Sequence, residues 1–97
     1  MPHIDYTDLI AQKLASQGYN NSATSMVAAE IVKVDSRLNP LVEKWLNGED
    51  EDYASHGYSI FGLMKSRHMT YPAALLTIDW LLKEPEKAKK SLEQGIK

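Results

Sequence analysis

The chain has 97 residues, of which 43% are hydrophobic and 25% charged, and its formal net charge is −2. This is the material of a single globular domain over residues 1–97, one that buries roughly 60 to 68% of the surface its unfolded chain exposes. With no cysteine in the sequence, disulfide scaffolds, thiolate metal sites and cysteine nucleophiles are excluded.

The first helix is expected over Tyr6 to Gln17. Asp5 is a good N-cap, and Asp8 stands where a capping box places its acid. Leu9, Ile10 and Leu14, with Tyr6 beside them, form one apolar stripe. Gly18 ends the helix because glycine takes positive φ without cost. A second helix starts near Ser22 or Thr24. Val27, Ile31, Val34 and Leu38 recur at helical spacing and set its buried face. Asn39 and Pro40 end it. Pro40 also suits the first turn of a short third helix, Leu41 to Leu46, with Trp45 on its apolar face. Asn47 and Gly48 close that helix.

Glu49, Asp50, Glu51 and Asp52 are adjacent like charges with nothing to bury. With Tyr53 to Gly57 they are expected to form the one long loop, its residues 49–56 the most mobile interior segment. No strand is expected. Ser59 caps a fourth helix that ends near Arg67 or His68, with Tyr58 and Leu63 at the two positions of a hydrophobic staple. Thr70 caps a fifth helix that tolerates Pro72 in its first turn. Leu75, Ile78 and Leu82 line one face of it, and Ala74, Trp80 and Leu81 widen the apolar surface well past one stripe. A helix apolar on nearly every side is a post around which a small domain packs. Glu84 and Pro85 break the path. A last helix, Glu86 to Gln94, keeps Ala88, Leu92 and Ile96 inside and Lys87, Lys89 and Lys90 outside.

These elements predict an all-α fold, a compact orthogonal bundle of five or six short helices, with Ile31, Trp45, Leu75, Ile78 and Leu82 in the core. The longest apolar-rich run, Ala73 to Leu82, contains Asp79 and falls well short of a membrane span. Asp5 and Asp8 interrupt the start, where a secretory leader needs an apolar run. A cytoplasmic protein with no membrane partner is therefore expected.

Catalytic and metal chemistry find no complete constellation. A calcium loop needs oxygen ligands at alternating positions, then glycine at the sixth and glutamate at the twelfth. Counted from Asp50, the sixth position is Ser55; counted from Asn47, it is Asp52. His3, His56 and His68 lie in a terminus, a loop and a helix end, without the short spacing of a zinc site. Ser25, Ser55 and Ser59 lack the glycine context of a nucleophile elbow, and the glycines are too scattered for a phosphate loop. No enzyme activity, cofactor or metal is expected.

Residues 59–82 could form a helix-turn-helix, with Lys65, Arg67 and Lys83 meeting phosphates. The positions that would face base edges are Tyr71, Pro72 and Ala73, none of them a usual base reader, so nucleic acid is the alternative and not the leading partner. Residues 1–57 carry four Lys/Arg against nine Asp/Glu, and residues 58–97 carry seven against four. Such a directed field favours an oriented partner or self-association over general polyanion binding. Tyr53, Tyr58 and Tyr71 cluster around the acidic loop and are the candidate contact surface, because tyrosine joins apolar area to a polar edge. The leading reading is a small non-catalytic domain acting through a protein partner or through itself. For the fold, a far-ultraviolet circular dichroism spectrum dominated by helix is the expected result, and a strand-dominated spectrum would contradict it.

Overall fold

The computed structural model describes residues 6–94. They form a compact all-α bundle of six short helices with a Cα radius of gyration of 13.5 Å.

Helix α1 (Tyr6–Ser16) buries Ile10 and Leu14. Leu9 and Tyr6, expected in the same stripe, are exposed. The proposed cap, Asp5, lies outside the described residues. Gly18 closes the helix at φ +97°, and the Tyr19 N–H donates to the Leu14 carbonyl at 3.2 Å. Helix α2 (Asn21–Ile31) starts earlier than expected, because the Asn20 side chain accepts the Ala23 N–H at 2.8 Å. It also stops earlier. Val34 and Leu38 are buried as their spacing predicts, but they sit beyond the helix, Leu38 in the 3-10 turn Ser36–Leu38.

The cause of that early stop is polar and long-range. The Asp35 N–H donates to Asp79 Oδ1 at 2.8 Å, and Lys83 Nζ donates to the Lys33 carbonyl at 2.8 Å. Both groups would otherwise belong to a continuing helix. Asp35 then caps the next turn, accepting the Arg37 N–H at 2.9 Å. Asn39 and Pro40, expected to be a break, open helix α3 (Asn39–Leu46), with proline in the first turn where its missing N–H is not needed.

The segment expected to be pure loop contains a minimal ribbon, β1 (Ala54–Ser55) against β2 (Tyr58–Ser59), in antiparallel register Ser55 to Tyr58. Its two turn residues, His56 and Gly57, have φ of +53° and +85°. Positive φ at both central positions is what a tight hairpin matched to strand twist requires. Histidine adopts it more readily than most non-glycine residues.

Helix α4 (Ile60–Arg67) begins as predicted, with Ser59 Oγ accepting the Gly62 N–H at 3.0 Å. A Cβ at residue 62 would stand 2.8 Å from that same oxygen, so this cap geometry favours glycine there. His68 ends the helix in the left-handed region at φ +56°. Helix α5 (Tyr71–Lys83) is capped by Thr70, whose Oγ1 accepts the Ala73 N–H at 3.3 Å. Its buried residues include Tyr71, Ala74, Leu75, Ile78 and Leu81. Two expectations for this helix are corrected. Leu81 is fully buried and Leu82 only partly. Trp80 is 37% exposed, its Nε1 donating to Glu84 Oε1 at 3.2 Å. An indole at the helix surface keeps its N–H paired, which a fully apolar slot would deny it. Helix α6 (Pro85–Gln94) buries Ala88 and Leu92; Ile96 lies outside the described residues.

Helix α5 touches α2, α4, α6 and both strands. Ile31, Trp45, Leu75 and Ile78 all lie in the core. Replacing Ile78 by alanine should cost about 2 to 4 kcal/mol through lost transfer energy and the cavity left behind. Replacing Asp79 by alanine strands the Asp35 N–H and should cost about 1 to 3 kcal/mol. Urea unfolding measures both; a loss below about 0.5 kcal/mol at either site is the behaviour of a surface position and would contradict the assignment.

Candidate functional site

The tyrosines singled out in the sequence serve the acidic loop. Tyr71 is 4% exposed at the start of α5, and its hydroxyl donates to the Glu51 carbonyl at 2.6 Å. Burial pushes its phenol pKa up to about 12. Tyr53 and Tyr58 are half-buried and pack against the core. Asp52 Oδ1 accepts both the Tyr53 N–H and the Phe61 N–H at 2.9 Å, tying the loop to the first turn of α4. Lys44 Nζ meets Glu51 Oε1 at 2.8 Å. The ring of Tyr71 is thus core, and Tyr53 and Tyr58 keep only part of their surface open.

The basic residues of the helix-turn-helix reading are mostly engaged inside the fold. Arg67 Nη2 donates to the Leu92 carbonyl at 3.0 Å, fastening α4 to α6. Lys83 Nζ lies 3.0 Å from Asp79 Oδ2 while it holds the Lys33 carbonyl. Lys65 is exposed. Tyr71 and Pro72, which would have to meet base edges, are buried. The α4–α5 pair therefore gives no support to DNA docking: the end of α5 that would enter a groove is already covered.

His56 Nδ1 pairs with Ser55 Oγ at 2.7 Å in the hairpin turn, and His68 ends α4; His3 lies outside the described residues. Among the described residues, no cluster of three or more His, Asp or Glu could hold a metal ion. The domain lacks catalytic motifs. None of its described helices is long and apolar enough to cross a membrane.

A different surface emerges along the seam between α1 and α3. One hollow of about 250 Å³ is lined by Tyr6 and Ile10 from α1, Ile31 and Val32 at the end of α2, and Asn39, Val42 and Glu43 from α3. A second, of about 350 Å³, is lined by Leu9, Gln12 and Lys13 from α1 and Leu46 and Asn47 at the other end of α3. The α3 residues recur at steps of three and four, so they are one helix face, and the α1 residues form its opposite wall. Tyr6, Leu9 and Val32 remain 45%, 41% and 43% exposed. Beneath lies Trp45, with Lys13 Nζ 5.6 Å from its ring centroid, a cation–π distance. The Trp45 Nε1 is buried without a hydrogen-bond partner. Sequence reading assigned Tyr6 and Leu9 to the core stripe. That reading already took α3 to be short but did not draw the consequence, that its eight residues leave Tyr6 and Leu9 of α1 exposed.

No protein-family model, curated protein or solved structure matches the chain.

The Tyr71 bond has a pH signature. An unfolded tyrosine ionises near about 10. With the folded value raised to about 12, the native state holds its proton more tightly, so the stability this supplies is complete below about pH 10 and is lost as pH rises through about 12. Tyr71→Phe should flatten the alkaline fall in stability over that window. Near neutrality it should cost about 0.5 to 1.5 kcal/mol for the lost hydrogen bond. Urea midpoints at neutral and alkaline pH measure both effects; an unchanged alkaline slope in the variant contradicts the assignment.

Proposed function

We propose that the chain is a non-catalytic protein-interaction domain and that the α1–α3 seam is its contact surface. The observation that supports this is the grouping of exposed apolar side chains along the seam, Tyr6 and Val32 at a hollow that Ile10, Ile31 and Val42 also line, and Leu9 at the second hollow. Single exposed apolar residues are ordinary on any protein, and Met26, Phe61 and Trp80 are of that kind. Exposed apolar residues grouped at neighbouring hollows are the pattern of a recognition site. A cytoplasmic setting agrees with the absence of cysteine.

The same absence makes the test clean. A single cysteine at Val32, carrying a short photo-crosslinker, probes the seam, and one at Lys65 probes the opposite reading of the surface. In extracts of the native cell, discrete adducts are expected from Val32 and not from Lys65. An adduct of twice the chain's mass would identify self-association through the seam. Equal patterns from the two positions, or none from Val32, would overturn the proposal.

A further inference from the structure

The asparagines of the sequence are Asn20, Asn21, Asn39 and Asn47, and only Asn47 stands before a glycine. Asn39 precedes a proline, whose nitrogen carries no hydrogen. A glycine has no Cβ to hinder the approach of its nitrogen to a neighbouring side chain. Asn47 and Gly48 are both exposed, and a Cβ at residue 48 would meet nothing within 4 Å. We propose that Asn47 and Gly48 form a self-modifying site, at which the Gly48 backbone nitrogen attacks the Asn47 side-chain amide, and that the C-terminal turn of α3 with its Lys44–Glu51 strap governs the rate.

The reaction consumes water and needs no other reagent. The Gly48 nitrogen bonds to Asn47 Cγ, and the bond from Cγ to the side-chain nitrogen breaks. Ammonia leaves with the proton that the Gly48 nitrogen gives up. Water then opens the cyclic imide. Opening at Cγ leaves aspartate at 47, and opening at the main-chain carbonyl leaves isoaspartate, which lengthens the backbone by a carbon.

The closed turn withholds the nucleophile. Gly48, at φ +88°, donates its N–H to the Trp45 carbonyl at 3.1 Å, and the Glu49 N–H donates to the Lys44 carbonyl at 2.8 Å. Together these bonds are the Schellman arrangement that ends many helices. Asn47 has ψ of 7°, which turns the Gly48 nitrogen toward the nitrogen of Asn47 itself and away from its side chain. Attack therefore waits for the turn to open. Lys44 reaches across that turn, its Nζ 2.8 Å from Glu51 Oε1, and straps it shut. Helix ends open far more cheaply than the whole domain, so the site reacts without global unfolding. The product also resists reclosure. An acid at 47 joins Glu49, Asp50, Glu51 and Asp52, and it lies at the negative end of the α3 dipole.

The test incubates the intact chain at mildly alkaline pH, native and in guanidinium chloride. Peptide mass spectrometry follows each asparagine, with the isoaspartyl form separated by chromatography. Asn47 should convert in both samples, about tenfold more slowly in the native one. Asn20, Asn21 and Asn39 should stay intact in the native chain. Glu51→Gln and Lys44→Gln break the same strap at exposed positions while changing the charge in opposite directions. Each should speed native conversion about two- to fivefold, the modest effect of an exposed ion pair, and leave the rate in denaturant unchanged. Circular dichroism checks that both variants keep the native helix content. Equal rates for native and denatured wild type, or a native chain whose Asn47 stays intact, would overturn the site. Native rates indifferent to both changes, or moved in opposite directions by them, would overturn the strap.

Discussion

The carboxylate of Asp79 is the constraint that the rest of the architecture answers to. It sits 8% exposed on a helix whose other buried side chains form the centre of the domain. A carboxylate in such a place must be paired and hydrogen-bonded. The fold meets that need with Lys83 from one turn later and with the backbone N–H of Asp35. Taking that N–H fixes where α2 stops. The stop turns the chain through Ser36–Leu38 into α3, and α3 then runs beside α1 with room between them. The seam on the surface is thus a distant result of one buried acid at the middle of α5.

Asp35 sits at the other end of this arrangement and is itself tightly held. The Arg37 guanidinium and backbone N–H bind its oxygens and hold its carboxyl down at about 2. The turn after α2 is therefore set from both sides, by the side chain of Asp35 to its own local partner and by its backbone to α5. The β-branched residues nearby, Val32 and Val34, have low helix propensity and offer little resistance.

What was legible in the sequence was what local chemistry decides. Ser59 and Thr70 cap their helices and Gly18 ends one, because each acts on groups within a few residues. The all-α class follows from periodicity, and the buried position of α5 from an apolar surface wider than one stripe; both survive any packing detail. The misreadings fall where distant groups decide. The stripe through Val34 and Leu38 kept its spacing although the helix carrying it had ended, because burial is set by direction and not by backbone hydrogen bonds. The choice of Asn20 over Ser22 or Thr24 as cap was hidden among neighbours that can all do the same work. Trp80 looked apolar in a hydropathy pattern but stands 37% exposed, with its N–H on Glu84. The candidate site was less legible still. A seam needs two faces brought side by side, and the residues of α1 that line it share the spacing of core residues. Only the length and placement of α3 show that they are left uncovered. Tyr71 illustrates the reverse: an aromatic beside an acidic loop reads as surface until the loop is seen to fold over it.

The map of contacts also says when each part of the fold comes together. Its closest packings join neighbours in the chain, α1 with α2, α4 with α5 and α5 with α6, and domains built on such local pairings fold in microseconds to milliseconds. The polar ties are of the opposite kind. Asp35 to Asp79 spans 44 positions, Lys33 to Lys83 spans 50, and the hydroxyl pair of Tyr19 and Thr70 spans 51. Links that close such long loops form after the helical pairs have docked, so they are absent from most of the climb to the barrier. Their strength accordingly sets how long the folded chain lasts rather than how fast it forms. Three hydrogen-bonded clasps would act as the brake on opening, in a domain whose assembly is governed by its helical pairs.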